Sequence, residues 1–391
     1  MIGGADPMRF EFATATRIVF GAGTLAEAGK LARPWGRRAL LVTGRTPRRS
    51  ERLQRCLAED GIEATVFSVD GEPTLAAVGS AVSTARGAGA EMVIGFGGGS
   101  AIDAAKAAAG LLANPGDLLD YLEVIGRGQP LPHPAVPWMA IPTTAGTGAE
   151  VTRNAVLGVP ERGVKVSWRS PHLLARVALV DPELTLGLPP AATAASGMDA
   201  LTQLLEAYVC NRANPMTDAL SAAGLPRIAR AFPAVWRDPR DLAARTDLSL
   251  ASLWSGLALA NAGLGAVHGI AAPVGGLFPA PHGAVCAVLL APVMSANLAA
   301  LRTRAGGSPA LGRYEEIGRW LTGRPGAKAE DGIAWVRSWV AELGLPGLAA
   351  YGVATGRVAE IVARAQSANS MKANPVALTA DELTGALAAA L

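Results

Sequence analysis

Two histidines and an aspartate carry the clearest chemical potential in this chain. His268 and His282 stand fourteen positions apart in Gly265-Ala-Val-His268-Gly-Ile-Ala-Ala272-Pro-Val-Gly-Gly-Leu-Phe-Pro-Ala-Pro-His282-Gly283. Imidazoles flanked by glycine in an apolar stretch suit metal ligation, and the same pattern suits two hydrogen-bonded core histidines. Upstream, Asp199 and Gln203 are spaced i, i+4, so a helix places both on one face. A carboxylate in an apolar segment needs a partner, a metal, or a helix N-terminus to face. The remaining histidines, His133 in Leu131-Pro-His-Pro134 and His172 in Ser170-Pro-His172, read as turn or surface residues.

A second signal is Met92-Val-Ile-Gly-Phe-Gly97-Gly98-Gly99-Ser100, which runs into Ala101-Ile-Asp103-Ala-Ala-Lys106. An apolar run ends in three glycines, and a helix-competent segment follows at once. Without a Cβ, backbone N–H groups approach a ligand closely. The helix start adds unpaired donors and the positive dipole end, which together seat an anion. A nucleotide-like phosphate above Gly97, Gly98, Gly99 and Ser100 fits; so does a bare strand-to-helix turn. The spacing is neither G-x-G-x-x-G nor G-x-x-x-x-G-K-[ST].

These residues need elements to hold them. The first half alternates strand and helix: Phe10–Phe20 as an initial strand or hairpin, strands at 39–43, 63–67, 92–95, 139–141 and 178–180, and helices at 24–32, 49–60, 75–87 and 100–112. Such alternation predicts a parallel sheet covered on both faces. Beyond Pro189-Pro190 the segments become long and rich in Ala and Leu, and Thr379-Ala-Asp-Glu382 is a capping box. The expected organisation is an α/β domain at 1–188 and an all-α domain at 189–391.

Composition narrows the function classes. The 391 residues are 50% apolar and 17% charged with net charge +3, ample for large cores. The only tight basic cluster is Arg45, Arg48 and Arg49, which is no nucleic-acid footprint. Three cysteines, Cys56, Cys210 and Cys286, form no disulfide framework, so a reducing cytoplasm is expected. The first seven residues lack a basic and then an apolar region, so no signal peptide is expected. No uninterrupted apolar stretch suggests a membrane span.

Taken in order, these motifs resemble the group III, or iron-containing, alcohol dehydrogenase family. Gly97-Gly-Gly-Ser100-x-x-Asp103-x-x-Lys106 is similar to its pyrophosphate motif. Ala140-Ile-Pro-Thr143-Thr144-Ala-Gly-Thr147-Gly-Ala-Glu150-Val-Thr152 is similar to its nicotinamide-side loop. Lys165 matches its cofactor-contacting lysine, Val180-Asp-Pro-Glu-Leu184 with Pro189-Pro190 its domain junction, and Gly197-x-Asp199 with His268-x13-His282-Gly its metal region. The resemblance implies the dehydroquinate synthase-like architecture, NAD(P), a homodimer paired through an N-terminal edge near Phe10–Phe12, and a cation, Fe2+ or Zn2+, at Asp199, Gln203, His268 and His282.

Two positions depart from the family. Gln203 stands where relatives carry a third imidazole, and an amide oxygen is a harder, weaker donor. Ala272 stands where relatives carry a histidine near the nicotinamide, so proton exchange falls to water, the nicotinamide ribose or another side chain. In the mechanism the resemblance implies, the cation beside Asp199, His268 and His282 favours a deprotonated alcohol oxygen, and hydride passes to the nicotinamide.

Cofactor choice rests on Thr43-Gly44-Arg45-Thr46-Pro47-Arg48-Arg49. A carboxylate there would bind ribose hydroxyls and repel a 2′-phosphate. None is present and arginines are, so Gly44 and Arg45 predict that NADP(H) is accepted. The leading function is an NAD(P)-dependent alcohol dehydrogenase or carbonyl reductase acting on a small alcohol, aldehyde or ketone, with no nucleic-acid or membrane partner. The alternative is a metal-free reductase of an unsaturated or oxo acid, similar to maleylacetate reductase. A lyase resembling dehydroquinate synthase lacks the required density of Lys, Arg and His in the second half. A silent binding protein is the reading that the changes at Gln203 and Ala272 suggest. Trp254, Phe278, Met371 and Lys372 are candidate pocket residues, with core packing (a solvated loop for Lys372) the plainer role.

Overall fold

The computed structural model describes residues 9–391; Met1–Met8, where no signal peptide is expected, lie outside the described residues. Eight strands are present among the described residues: β1 (Arg17–Phe20), β2 (Arg38–Thr43), β3 (Glu63–Ser68), β4 (Met92–Gly97), β5 (Trp138–Pro142), β6 (Asn154–Val159), β7 (Val164–Arg169) and β8 (Val177–Val180). Six form a parallel sheet in the order β1-β8-β5-β4-β2-β3.

Alternation along each strand divides the side chains between two faces. Leu41, Ile94, Ile141 and Leu179 pack with α1 (Ala28–Ala32) and α2 (Glu51–Glu59). Leu40, Val42, Val93, Ala140 and Ala178 pack with α3 (Leu75–Gly87) and α4 (Gly99–Ala113). Both faces are therefore covered, as the near-continuous apolar strands require. The chain leaves β2 for β3 on one side and returns to β4 on the other. That reversal opens a crevice at the carboxyl ends of β2 and β4, the place where open α/β sheets bind ligands.

The initial strand is shorter than Phe10–Phe20 suggests. It starts at Arg17, in register with Val177 of β8. Ahead of it, Ala13 exchanges hydrogen bonds with the Asn261 side chain at 2.7 and 3.0 Å instead of joining a strand. Phe10 and Glu11 lie beside the main cavity. The antiparallel β6–β7 ribbon was not anticipated. Its signal was present: Val166 and Trp168 are buried, while Lys165, Ser167 and Arg169 line the cavity.

After α5 (Leu118–Tyr121), the helices are α6 (Pro190–Val209), α7 (Pro215–Arg237), α8 (Leu242–Asn261), α9 (Ala266–Leu277), α10 (His282–Arg304), α11 (Pro309–Thr322), α12 (Ala329–Glu342), α13 (Val358–Ser367) and α14 (Ala380–Ala388). One contiguous core joins α6 to α14. By length and composition α10 could cross a membrane, but 72% of its most apolar window is buried within the protein. It is a core helix, packed on α6, α9, α12 and α14. The capping box at Thr379 is formed.

Lys106 ties the two layers of the α/β part together. Fully buried, it donates to the carbonyl of Ala149 at 2.9 Å, Thr152 Oγ1 at 2.8 Å and the carbonyl of Asn154 at 2.6 Å. Burial pushes its ammonium down and the neighbouring Glu150 carboxyl up to about 7. The loop that follows β5 is thus anchored from below.

Candidate active site

The glycine turn is a strand-to-helix junction at the crevice. Gly98 caps α4 with no side chain bonded to the helix start, leaving its first N–H groups facing outward. A Cβ on Gly99 would sit 2.9 Å from Thr147 Cγ2, so glycine is what lets the loop carrying Thr143, Thr144 and Thr147 close over the turn. Thr143 N–H donates to the Gly97 carbonyl at 2.8 Å, and Thr144 lies against Gly98. This open, uncapped helix start fits a pyrophosphate.

Asp103 faces the same cavity and also secures β6: its Oδ2 accepts from Val156 N–H at 3.0 Å, and its Oδ1 pairs with Lys106 Nζ at 3.4 Å. Lys165 on β7 reaches into the cavity and pairs with Glu72 at 2.9 Å. Gly44 follows β2, its N within 3.4 Å of where a Gly97 Cβ would lie. Arg45 Nε pairs with Asp70 Oδ1 at 2.6 Å, both side chains largely exposed.

On the facing wall, α6 presents Asp199, Gln203 and Glu206, spaced four and then three residues apart on one face. A Cβ on Gly283 would come within 2.0 Å of the Ala195 carbonyl oxygen, so only glycine lets the start of α10 touch α6. That contact delivers His282 to Asp199: Nε2 to Oδ1 is 3.7 Å. His268, on α9, places its Nε2 at 3.4 Å from the same oxygen. Asp199 and His268 are buried, and His282 is half-buried. Burial pushes the Asp199 carboxyl up, but His268, His282 and the Gln203 amide together hold it below its ordinary value.

The structure brings Asp199, His268 and His282 together, and Gln203 borders the same cavity one helical turn after Asp199. Gln203 is otherwise engaged: its Oε1 accepts from Ser255 Oγ at 2.7 Å and its Nε2 reaches the Thr147 carbonyl at 3.4 Å. The fourth donor beside Asp199, His268 and His282 is Cys286, with all four ligand atoms within 4.8 Å of one another. Burial raises the Cys286 thiol, yet the two imidazoles bring it below its usual range. Counting cysteines for disulfides hid it; its position one helical turn after His282 was the available signal.

Glu206 was also missed. Its Oε2 accepts from His268 Nδ1 and its Oε1 from Val267 N–H, each at 2.7 Å. That bond places a proton on Nδ1, so Nε2, which faces Asp199, is the nitrogen that would ligate a cation once deprotonated. Glu206→Gln should therefore weaken divalent-cation binding by about 10–100-fold, read by competition with a chromogenic chelator. Unchanged affinity would mean that the carboxylate only packs.

Ala272 faces the cavity with a methyl group. Trp254, Phe278 and Met371 instead pack partly buried against the cores, Lys372 does not line the cavity, and His133 and His172 are exposed. Two profiles match nearly the whole sequence: "Iron-containing alcohol dehydrogenase" over residues 15–182 and "Fe-containing alcohol dehydrogenase family, C-terminal" over residues 193–391.

The chain belongs to the iron-containing alcohol dehydrogenase family.

Within that family it is similar to Alcohol dehydrogenase 4 of Saccharomyces cerevisiae (strain YJM789), 39% identical over 250 residues. That match spans 64% of this chain and 64% of the yeast protein's length. A solved 1,3-propanediol oxidoreductase superposes with TM-score 0.91 at 31% identity, covering 98% of this chain and 100% of the other. Sulfoacetaldehyde reductase from Bifidobacterium kashiwanohense, solved in complex with NAD+, superposes with TM-score 0.86 at 28% identity, covering 98% and 99%.

Proposed function

We propose that this chain is an NAD(P)-dependent oxidoreductase that moves a hydride between nicotinamide and a small alcohol, aldehyde or ketone with the help of Fe2+ or Zn2+. One observation carries this: a single cavity of about 830 Å3 is lined by Gly99 and Ser100 at one end and by Asp199, His268 and His282 at the other. Residues 1–188 act as the dinucleotide-binding domain and residues 189–391 as the metal and substrate domain. NAD+ in the sulfoacetaldehyde reductase structure supports the dinucleotide.

Asp199, His268 and His282 hold the cation, which when bound polarises the substrate oxygen as a Lewis acid. The dinucleotide supplies the redox chemistry. The chain positions both. The α4 N-terminus with Gly97, Gly98, Gly99 and Ser100 seats the pyrophosphate, Thr143 holds that turn in place, and Asp103 ties α4 to β6 at the cavity edge. Thr144, Thr147 and Lys165 border the nicotinamide end. Glu206 fixes the His268 tautomer. Gly44 and Arg45 border the adenosine ribose without a carboxylate between residues 43 and 49. The Arg45–Asp70 pair, being exposed, is worth at most about 1 kcal/mol, so Arg45 can turn to a 2′-phosphate and NADP(H) is accepted. The three cysteines are free, which fits a cytoplasmic enzyme. A homodimer forms along the β1 edge of the sheet.

The metal-free reductase of an oxo acid is not favoured, because oxygen, nitrogen and sulfur donors converge beside the cavity. The deciding experiment pairs metal quantification with NADH and NADPH oxidation on aldehydes, ketones and oxo acids. The expected result is carbonyl reduction that a chelator abolishes and Fe2+ or Zn2+ restores. Full turnover of oxo acids after chelation would refute the metal-dependent reading.

A further inference from the structure

The donor atoms around Asp199 have the spacing of a coordination shell whose sulfur is part of the set. Cys286 Sγ lies 3.8 Å from His268 Nε2 and 3.7 Å from His282 Nε2. Asp199 Oδ1 lies 3.4 and 3.7 Å from the same two nitrogens. A tetrahedral cation with bonds of about 2.0–2.3 Å holds oxygen and nitrogen about 3.4 Å apart, and nitrogen and sulfur about 3.6 Å apart. Four of the six separations among the donor atoms match, and the remaining two lie within 4.8 Å. Gln203, by contrast, gives its carbonyl oxygen to Ser255 and its amide nitrogen to the Thr147 carbonyl.

We propose that the Cys286 thiolate is the fourth protein ligand of the cation, so that this chain has an Asp-His-His-Cys set. This rests on the metal-dependent reading above. The sequence builds the ligand economically: His282 and Cys286 are i, i+4 on α10, so one helix turn aims both at the same point. Cys286 is fully buried among residues of the helical core, so the sulfur approaches the cation from inside the fold.

Ligation is a proton exchange, with no change in oxidation state: a metal–sulfur bond forms and the thiol proton leaves to solvent. Two consequences follow. Carboxylate and thiolate together cancel the charge of a divalent cation. The soft sulfur also restores the affinity that an amide at position 203 would forfeit, and it moves selectivity toward Zn2+.

Cobalt reports the ligand directly. Wild-type protein loaded with Co2+ should bind one ion per chain and show a near-ultraviolet sulfur-to-cobalt charge-transfer band. Gln203→Ala should keep the band. Cys286→Ser should lose it and bind Zn2+ at least about 100-fold more weakly, since even an outer-shell partner is worth 10–100-fold. X-ray absorption on the zinc-loaded wild type needs no variant and should show one sulfur at about 2.3 Å. Cobalt bound with no sulfur signature, or a band that survives Cys286→Ser, overturns the thiolate and leaves the metal reading intact. Failure to bind cobalt at all overturns both.

Discussion

Asp199→Ala should lower kcat by at least about 10^3-fold while leaving cofactor binding in place. The carboxylate is the only oxygen donor among the four converging side chains. It sits beside both imidazole Nε2 atoms, whereas Glu206 engages His268 through Nδ1, the opposite ring nitrogen. Without it the cation would lose its oxygen donor and part of its charge balance, and with the cation would go the polarisation of the substrate oxygen. Lewis-acid assistance of this kind is worth several kcal/mol, which corresponds to a rate factor of about 10^3 or more. The glycine turn lies on α4, a different element from α6, so nicotinamide fluorescence should still report bound cofactor. Asp199→Asn keeps the shape and a neutral oxygen, and should fall between the two. Wild-type turnover in a metal-depleted Asp199→Ala would show that the three side chains form a structural cluster.

Much of this site could be read along the chain because local chemistry and position coincide. The glycine run needed only its place after an apolar strand, since a parallel sheet always delivers such a turn to its carboxyl edge. Asp199, His268 and His282 were visible as rare polar groups in apolar surroundings. What escaped depends on contacts between distant segments. Cys286 is a ligand candidate because Gly283 lets α10 touch α6 at Ala195, and nothing local to the cysteine says so. Glu206 reads as one more helix glutamate until α9 is folded across it. The β6–β7 ribbon was not anticipated, although Val164-Lys-Val-Ser-Trp-Arg169 alternates along its length. Phe10 and Phe12 look like strand residues, yet sheet pairing begins only where β8 offers partners.

The cofactor side offers an equally sharp result. If NADP(H) is accepted as proposed, Gly44→Asp should shift preference to NAD(H), moving the ratio of kcat/KM values for NADPH and NADH by at least about 100-fold. Nothing lies within 4 Å of a Cβ built on Gly44, so the larger side chain enters without displacing the fold. It would project from the end of β2, at the reversal point of the sheet, where a carboxylate accepts the ribose hydroxyls. Opposite a 2′-phosphate about 4 Å away, one such charge costs about 4 kcal/mol at the effective dielectric of a protein surface. Part of that is screened by salt and by Arg45, whose exposed pairing with Asp70 leaves it free to follow either charge. The effect should therefore shrink as ionic strength rises, which separates repulsion from a steric fault. A ratio indifferent to both the substitution and the salt would place the adenosine ribose somewhere other than the end of β2. On the proposed cofactor reading, the discrimination would be set by the carboxylate missing from position 44, with the arginines that follow it in a supporting role.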